Sequence, residues 1–261
     1  MSVEQLVTVD DRFLDEHIAR VVLDNPAKRN ALSAHMLRAL DNALTTVGQD
    51  PAVKVVIMGA AGPAFSAGHD LRELLTGSHE DVRDVFAVCS QVMDTIRRLG
   101  PIVVAEVEGI ATAAGCQLVA AADLAVAGED ARFATPGVKI GYFCVTPAVF
   151  VSRNVGRKKA AEMLFTGEFL SASEALAAGL VNRVVPAGSA LDGALILARQ
   201  IARYSRDTLA RGKQDFYRQL GLPEFDALDY ASRIMIDNVD RPEAREGMSA
   251  FLGKREPQWP N

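Results

Sequence analysis

Residues 107–127 read VEGIATAAGCQLVAAADLAVA, and their order decides the fold class. An apolar run over 102–107 stops at Gly109, a stretch of small residues follows from about 113 to 122, and apolar residues resume at 124–127. Short apolar runs bounded by glycine read as buried strands, and the small-residue stretch between them reads as a helix packed closely on a sheet. Outward toward the N-terminus, strand-like runs cover 6–9 and 17–23, the second ending at the turn Asn25-Pro26. Ser33 caps a helix carrying Leu37, Leu40, Leu44 and Val47 at helical spacing, with Gly48 closing it. A strand over 53–58 leads into a glycine-containing loop, 59–70. The next helix has the stripe Val82, Val85, Phe86, Cys89, Val92, Met93, Ile96 and Leu99, with Arg97 and Arg98 in its last turn.

Toward the C-terminus a strand is expected at 132–134, and strands stop after Val185. Residues 191–204, 207–220, 224–238 and 242–254 all read as helices. A strand-strand-helix unit therefore recurs without Pro- or Ser-rich linkers between units. This predicts an α/β core over 1–190 and a helical segment over 191–261, rather than two independent domains.

The whole chain has 261 residues, 49% hydrophobic and 23% charged, which is the composition of an ordinary folded protein. A chain this long buries roughly three quarters of its unfolded surface, so its core needs no disulfide or metal staple. With 28 Lys+Arg against 33 Asp+Glu, the net charge of −5 offers no basic field to nucleic acid or an anionic membrane. The N-terminal residues are acidic and lack an export signal. The most apolar stretch, 110–127, holds Gln117 and Asp123 and falls short of a membrane span. Cys89, Cys116 and Cys144 are far apart and odd in number, a pattern that suits free thiols in a reducing cytoplasm. His17, His35, His69 and His79 lack metal-ligand spacing.

Two strand-to-helix junctions could carry chemistry: AFSAGHDL over 64–71 and GIATAAGCQ over 109–117. Small residues beside an incipient helix leave main-chain N–H groups unobstructed, and two such groups aimed at one point form an oxyanion hole. The same residues also serve plain close packing of helix on sheet, and spacing alone leaves both readings open. His69 is the histidine that falls in a motif; it reads either as a proton carrier or as an imidazole turned to solvent or capping a helix. Asp70 reads as the cap of the following helix.

Six blocks, in order, resemble the enoyl-CoA hydratase/isomerase family of the crotonase superfamily over essentially the whole length. They are LDNPAKRNALS (23–33), AFSAGHDLREL (64–74), the opening stretch 107–127, ARFATPGVKIG (131–141), EMLFTGEFLSASEALAAGLVNRVV (162–185) and EGMSAFLGKREPQW (246–259). SAGHDL, AAGCQL, FATPGVKIGYFC and DFYRQL together resemble one branch of that family. The resemblance implies an α/β crotonase (ClpP-like) spiral of repeated β-β-α units, with a helical C-terminal segment that builds a homotrimer or a hexamer. It implies an acyl-CoA thioester as substrate and no prosthetic group, coenzyme A entering only as part of the substrate.

By the same resemblance, the oxyanion donors are the main-chain N–H groups of His69 and Ala114. Ala27, Lys28, Arg29, Ser66, Ala67, Gly68, Asp70, Leu71, Ile110, Pro136 and Ile140 would line the CoA and acyl pockets. Arg72 would add charge near the CoA phosphates, with Lys254 or Arg255 arriving from a neighbouring subunit. Tyr142 and Cys144 fall where the family shapes its acyl pocket, and both read as packing residues.

The chain departs from the family at the two glutamates that hydratases use to add water. Those positions hold Gln117 and Gly137, neither of which exchanges a proton near neutral pH. Between Glu108 and Glu162 the carboxylates are Asp123, Glu129 and Asp130, and none substitutes well. Each missing acid or base costs roughly 10²–10⁴-fold, so hydration is expected to be weak or altered. Two alternatives follow: a decarboxylase-like reaction, in which loss of CO₂ creates the enolate without a protein base, and a module that binds acyl-CoA or a protein partner without turnover. A peptidase of related fold would need a nucleophile elbow that the sequence lacks. Glutamate restored at both 117 and 137 is expected to separate an intact site from a pure binding module.

Overall fold

A computed structural model describes residues 5–260. Among these, the strands are β1 (Val7–Asp10), β2 (Ile18–Leu23), β3 (Val55–Ala60), β4 (Ala64–Ser66) and β5 (Ile102–Val107), then β6 (Ile110–Thr112), β7 (Leu124–Gly128), β8 (Arg132–Ala134), β9 (Leu170–Ser171) and β10 (Arg183–Val185). The helices of the first half are α1 (Ala34–Gln49), α2 (Leu71–Thr76), α3 (His79–Arg98) and α4 (Ala114–Ala121). They are followed by α5 (Val145–Asn154), α6 (Arg157–Thr166), α7 (Ala172–Ala178), α8 (Ala190–Ala202), α9 (Arg206–Gln219), α10 (Glu224–Val239) and α11 (Pro242–Leu252).

Two sheets result. The larger has the order β1-β2-β3-β5-β7-β10 and is parallel apart from the β1–β2 pair; the smaller has the order β4-β6-β8-β9. Each repeat sends its first strand to the large sheet and its second to the small one: β3 then β4, β5 then β6, β7 then β8. The expected strand-strand-helix repeat is thus present. The loop expected over 59–70 contains a strand of its own, β4, and β6 and β9 are further short strands that the sequence reading passed over. Three-residue strands carry too little periodicity to be read, and their pairing comes from neighbours distant in sequence.

Local chemistry explains most element ends. Ser33 Oγ accepts from Met36 N at 3.2 Å, and Asp70 Oδ1 accepts from Arg72 N at 3.0 Å. Helix α1 runs one residue past Gly48, which sits inside it because Leu99 packs there: a Cβ on Gly48 would meet Leu99 Cδ2 at 2.1 Å. The buried face of α3 includes Val88 in addition to the expected stripe, while Phe86 is only half-buried.

The main core joins α1, α3 and α4 to one face of the large sheet, and a second cluster covers the other face. There Ile18, Val55, Ile57, Val104 and Val126 pack against Ala194, Leu195, Ala198 and Ala202 of α8. The body therefore extends past residue 190 to the end of α8. Helix α9 is also fastened to it. Lys213, only 5% exposed, sets its Nζ 2.7 Å from Asp123 Oδ2 and donates to the carbonyls of Ile96 and Pro101. Tyr217 donates to the other oxygen of Asp123 at 2.7 Å. Asp123 is consumed by this network. Beyond α9 the character changes, for α10 buries no side chain and leaves Phe225 and Ile236 largely open.

Candidate active site

The small sheet assembles the site. Strands β4, β6 and β8 are parallel neighbours, with Ser66 opposite Ala111 and Thr112 opposite Ala134. The chain leaves all three strands at the same end, so residues after 66, 112 and 134 gather there. Tertiary pairing brings together what lies some 45 residues apart in sequence.

The first two exits touch. A Cβ on Gly68 would stand 2.9 Å from Ala113 Cβ and 3.2 Å from Ala114 N, and one on Gly115 would stand 2.5 Å from Ser66 O. Gly68 has φ +85°, a conformation that glycine adopts freely. Ala113 is forced into φ +50° with ψ −117°, a strained state for a residue with a Cβ that costs about 1–3 kcal/mol. Its N–H is bonded to Ala134 O at 2.9 Å, so the twist falls on the peptide that carries the Ala114 N–H. That N–H opens α4 and has no intrahelical partner. The His69 N–H is likewise without a partner among the described residues: the bridge between Leu32 and His69 uses Leu32 N, Gly68 O and Asp70 N instead. Two main-chain donors on touching loops, one of them at a helix start, can stabilise an oxygen that takes on negative charge.

Both residues line an open cavity of about 520 Å³, whose walls are otherwise mostly apolar. The His69 ring lies there with its Nδ1 3.2 Å from Leu32 O, which makes Nδ1 the protonated nitrogen. Phe86 meets the ring edge-on at 4.9 Å. Nε2 then carries a bare lone pair, shut off from solvent and without a partner among the described residues. Burial pushes the imidazole below the ordinary histidine range, so it is neutral at pH 7. Cys144 also lines the cavity, and burial pushes its thiol up, so it stays protonated.

The two positions where the resemblance implies glutamates, 117 and 137, are occupied very differently. Gln117 is 3% exposed and its Oε1 finds no partner among the described residues. Gly137 lies in the turn Pro136–Ile140, where a Cβ would be 1.9 Å from Tyr142 O and 2.8 Å from Cys144 Sγ. Position 137 is therefore closed to any side chain while the 141–144 segment keeps its place, and restoring glutamate there no longer serves as a test of the pocket.

Of the residues expected in the pockets, Ala67, His69, Leu71, Ala114, Pro136, Gly137 and Ile140 line the cavity. Ser66 does not; it is fully buried and donates to Asn30 O at 2.8 Å. Gly68 packs on the neighbouring junction, Asp70 caps α2, and Ile110 pairs with Arg132 outside the lining. Ala27, Lys28 and Arg29 form an exposed turn next to the cavity mouth, joined to it where Ala67 N donates to Arg29 O at 3.0 Å. Arg72 is exposed and outside the lining. Lys254 sits just after α11, away from the lining, and Arg255 is paired with Glu246 at 2.6 Å. Tyr142 is 51% exposed at the mouth rather than packed in the core. Leu74, Phe86 and Lys139 are lining residues that the sequence reading missed. Phe86 was absorbed into a core stripe, and the other two carry no local signal of a cavity.

Comparison with known proteins bears on the family and the fold. A family model described as enoyl-CoA hydratase/isomerase matches residues 14–261. The rat protein named enoyl-CoA hydratase domain-containing protein 3, mitochondrial, is 48% identical over 243 residues, 93% of this chain and 81% of that protein. This is the branch that SAGHDL, AAGCQL, FATPGVKIGYFC and DFYRQL resemble. The human protein of the same name has a crystal structure that superposes with TM-score 0.93 at 44% identity, covering 97% of this chain and all of that one. A crystal structure titled enoyl-CoA hydratase from Mycobacterium smegmatis gives TM-score 0.93 at 47% identity, covering 97% of this chain and 98% of the other. On the strength of the matched model, these relatives and the shared fold, the chain belongs to the enoyl-CoA hydratase/isomerase family and has the crotonase fold.

Proposed function

We propose that this protein binds an acyl-CoA thioester and holds the thioester oxygen, as it takes on enolate charge, between the main-chain N–H groups of His69 and Ala114. The observation that carries the reading is the pair of unpartnered donors on abutting loops beside one apolar cavity. A single donor of this kind is worth about 3–4 kcal/mol to a transition state. Lys28 and Arg29 supply positive charge at the mouth for the CoA phosphates, with Lys254 supplied by a neighbouring copy.

Efficient hydration by a pair of glutamates does not fit Gln117 and the closed position 137. Removal and return of a Cα proton fits better, with the His69 imidazole as the carrier once rotation of its ring brings Nε2, closed from the cavity in this structure, into it. The Cα–H bond breaks, an N–H bond forms on the imidazole, and the electron pair moves to the thioester oxygen. Decarboxylation is less well served: Lys139 is the cation in the lining, and it is turned to Glu168 at 2.7 Å rather than left to hold a second carboxylate. Binding without turnover is the second reading, favoured by the closure of Nε2 from solvent. The open apolar faces of α10 and α11, with Phe225, Ile236, Phe251 and Leu252 all at least 70% exposed, support a homotrimer or hexamer.

Two measurements test the site. Acetoacetyl-CoA should gain the near-ultraviolet absorption of its enolate on binding, and butyryl-CoA in D₂O should exchange its Cα protons. Enolate formation without exchange selects the binding module; absence of both overturns the proposal. Sedimentation at micromolar concentration reads the assembly, and a monomer would overturn that part.

A further inference from the structure

Another cavity, of about 390 Å³, lies between α9, the end of α10 and α11, and shares no lining residue with the cavity beside residues 69 and 114. The chain after α11 returns to bound it. Trp259 Nε1 donates to Arg203 O at 2.8 Å, and Gly247 of α11, having no Cβ, lets the indole ring lie close against the helix. Trp259 and Met248 give the cavity an apolar wall. The open apolar residues of α10 and α11, Phe225, Ile236, Phe251 and Leu252, take no part in it.

Four charged side chains, Asp207, Arg211, Arg241 and Glu243, complete the argument, and the fold joins only two of them closely. Asp207 Oδ2 accepts from Arg211 Nε at 2.7 Å. Arg241 Nη1 stands 4.0 Å from that same oxygen, beyond hydrogen-bond reach. Arg241 Nε is shut off from solvent and has no partner among the described residues. A guanidinium nitrogen closed from water calls for an acceptor. Glu243, in the first turn of α11, has no ion-pair partner among the described residues. It stands two positions from Arg241, a spacing at which helical side chains do not face each other, so the pair is kept apart although both line the cavity. Two cations and two carboxylates leave the lining without net charge. A simple anion would meet Glu243 and a simple cation would meet Arg241, whereas a molecule that carries both charges answers both.

We propose that this cavity binds a free α-amino acid with an apolar side chain, its carboxylate accepting from Arg241, its ammonium group donating to Glu243 and its side chain lying against Trp259 and Met248. The volume falls in the lower part of the range for small-molecule sites, which suits a ligand of this size.

Trp259 is the one tryptophan of the chain, so the intrinsic fluorescence of the full-length protein reads occupancy of the cavity. L-Leucine and L-phenylalanine should each change that fluorescence saturably. Isocaproate, which is leucine without its ammonium group, and isoamylamine, which is leucine without its carboxylate, should bind at least tenfold more weakly. Arg241→Gln and Glu243→Gln should each raise the dissociation constant of leucine by about tenfold or more, because each removes one charge-assisted hydrogen bond. Both keep Trp259 as the probe, and either suffices should the other not fold. Silence of both amino acids, or a response that neither substitution weakens, would overturn the proposal. Isocaproate binding as tightly as leucine would overturn the amino-acid class and leave a carboxylate site.

Discussion

Two regions share the cavity and obey different rules. In the proposed reaction the junctions after β4 and β6 act through main-chain N–H groups, so what that role requires is backbone shape: glycine at 68, glycine at 115 and a twisted peptide at 113. The segment after β8, like the buried face of α4, would act through side chains, and there position 117 holds a neutral amide and position 137 no side chain at all. A backbone donor outlasts replacement of its own side chain, whereas an acid or base does not. The anion-stabilising half of such a site can therefore persist while its proton chemistry changes.

The sharpest way to separate the halves is His69→Gln. The main-chain donor at 69 remains, so acetoacetyl-CoA should bind within about threefold of the unaltered protein. Cα exchange should fall by roughly 10²–10⁴-fold if the imidazole carries the proton. Unchanged exchange would return that role to another group. The reverse substitution is Gly115→Val, which drives a side chain into Ser66 O and pushes the two junctions apart. Enolate binding should weaken by about 10²–10³-fold, the value of one lost donor, as read by titration of the enolate absorption.

Stability distinguishes the two regions as well. Gly137→Ala places a methyl group on Tyr142 O and should cost about 3 kcal/mol, a drop of roughly 5–10 °C in melting temperature by calorimetry. An unchanged Tm would mean that the 141–144 segment yields, and that position 137 is open after all. Gln117→Glu buries a carboxyl group where Oε1 already lacks a partner. Burial raises its folded-state pKa above the unfolded value near 4.3, so the penalty is absent below that pH and grows as pH rises. The variant should lose about 2 kcal/mol at pH 7 and recover about half of it near pH 5, as urea titrations at the two values will show. The smallest effect concerns His69 in the unaltered protein. Its folded-state pKa is lowered by burial, so the unfolded chain binds more protons as pH falls through about 6.5, and stability drops. A shift of a degree or two in Tm on acidification from pH 7 to 5.5 should vanish in His69→Gln.

Much of this molecule was legible without coordinates. The helices α1 and α3, each with an apolar stripe, were evident because helical periodicity repeats over four or more turns. The strand Ile102–Val107 and the helical run after Val185 were equally plain. Strands β4, β6 and β9 were not, since three residues or fewer hold no period and their stability comes from partners across the small sheet. Family motifs pointed to residues 69, 114, 117 and 137 individually, because each motif is a local string.

The sequence by itself settled which groups are present: small-residue junctions over 64–71 and 109–117, a neutral amide at 117 and no side chain at 137. Only the tertiary structure decided that the two junctions abut, that Tyr142 O fills the space beside Gly137, and that the His69 ring turns its bare nitrogen away from solvent. The reason is that residue identity is written in the chain one position at a time, while contact, steric closure and burial are set by segments far apart that meet in the fold.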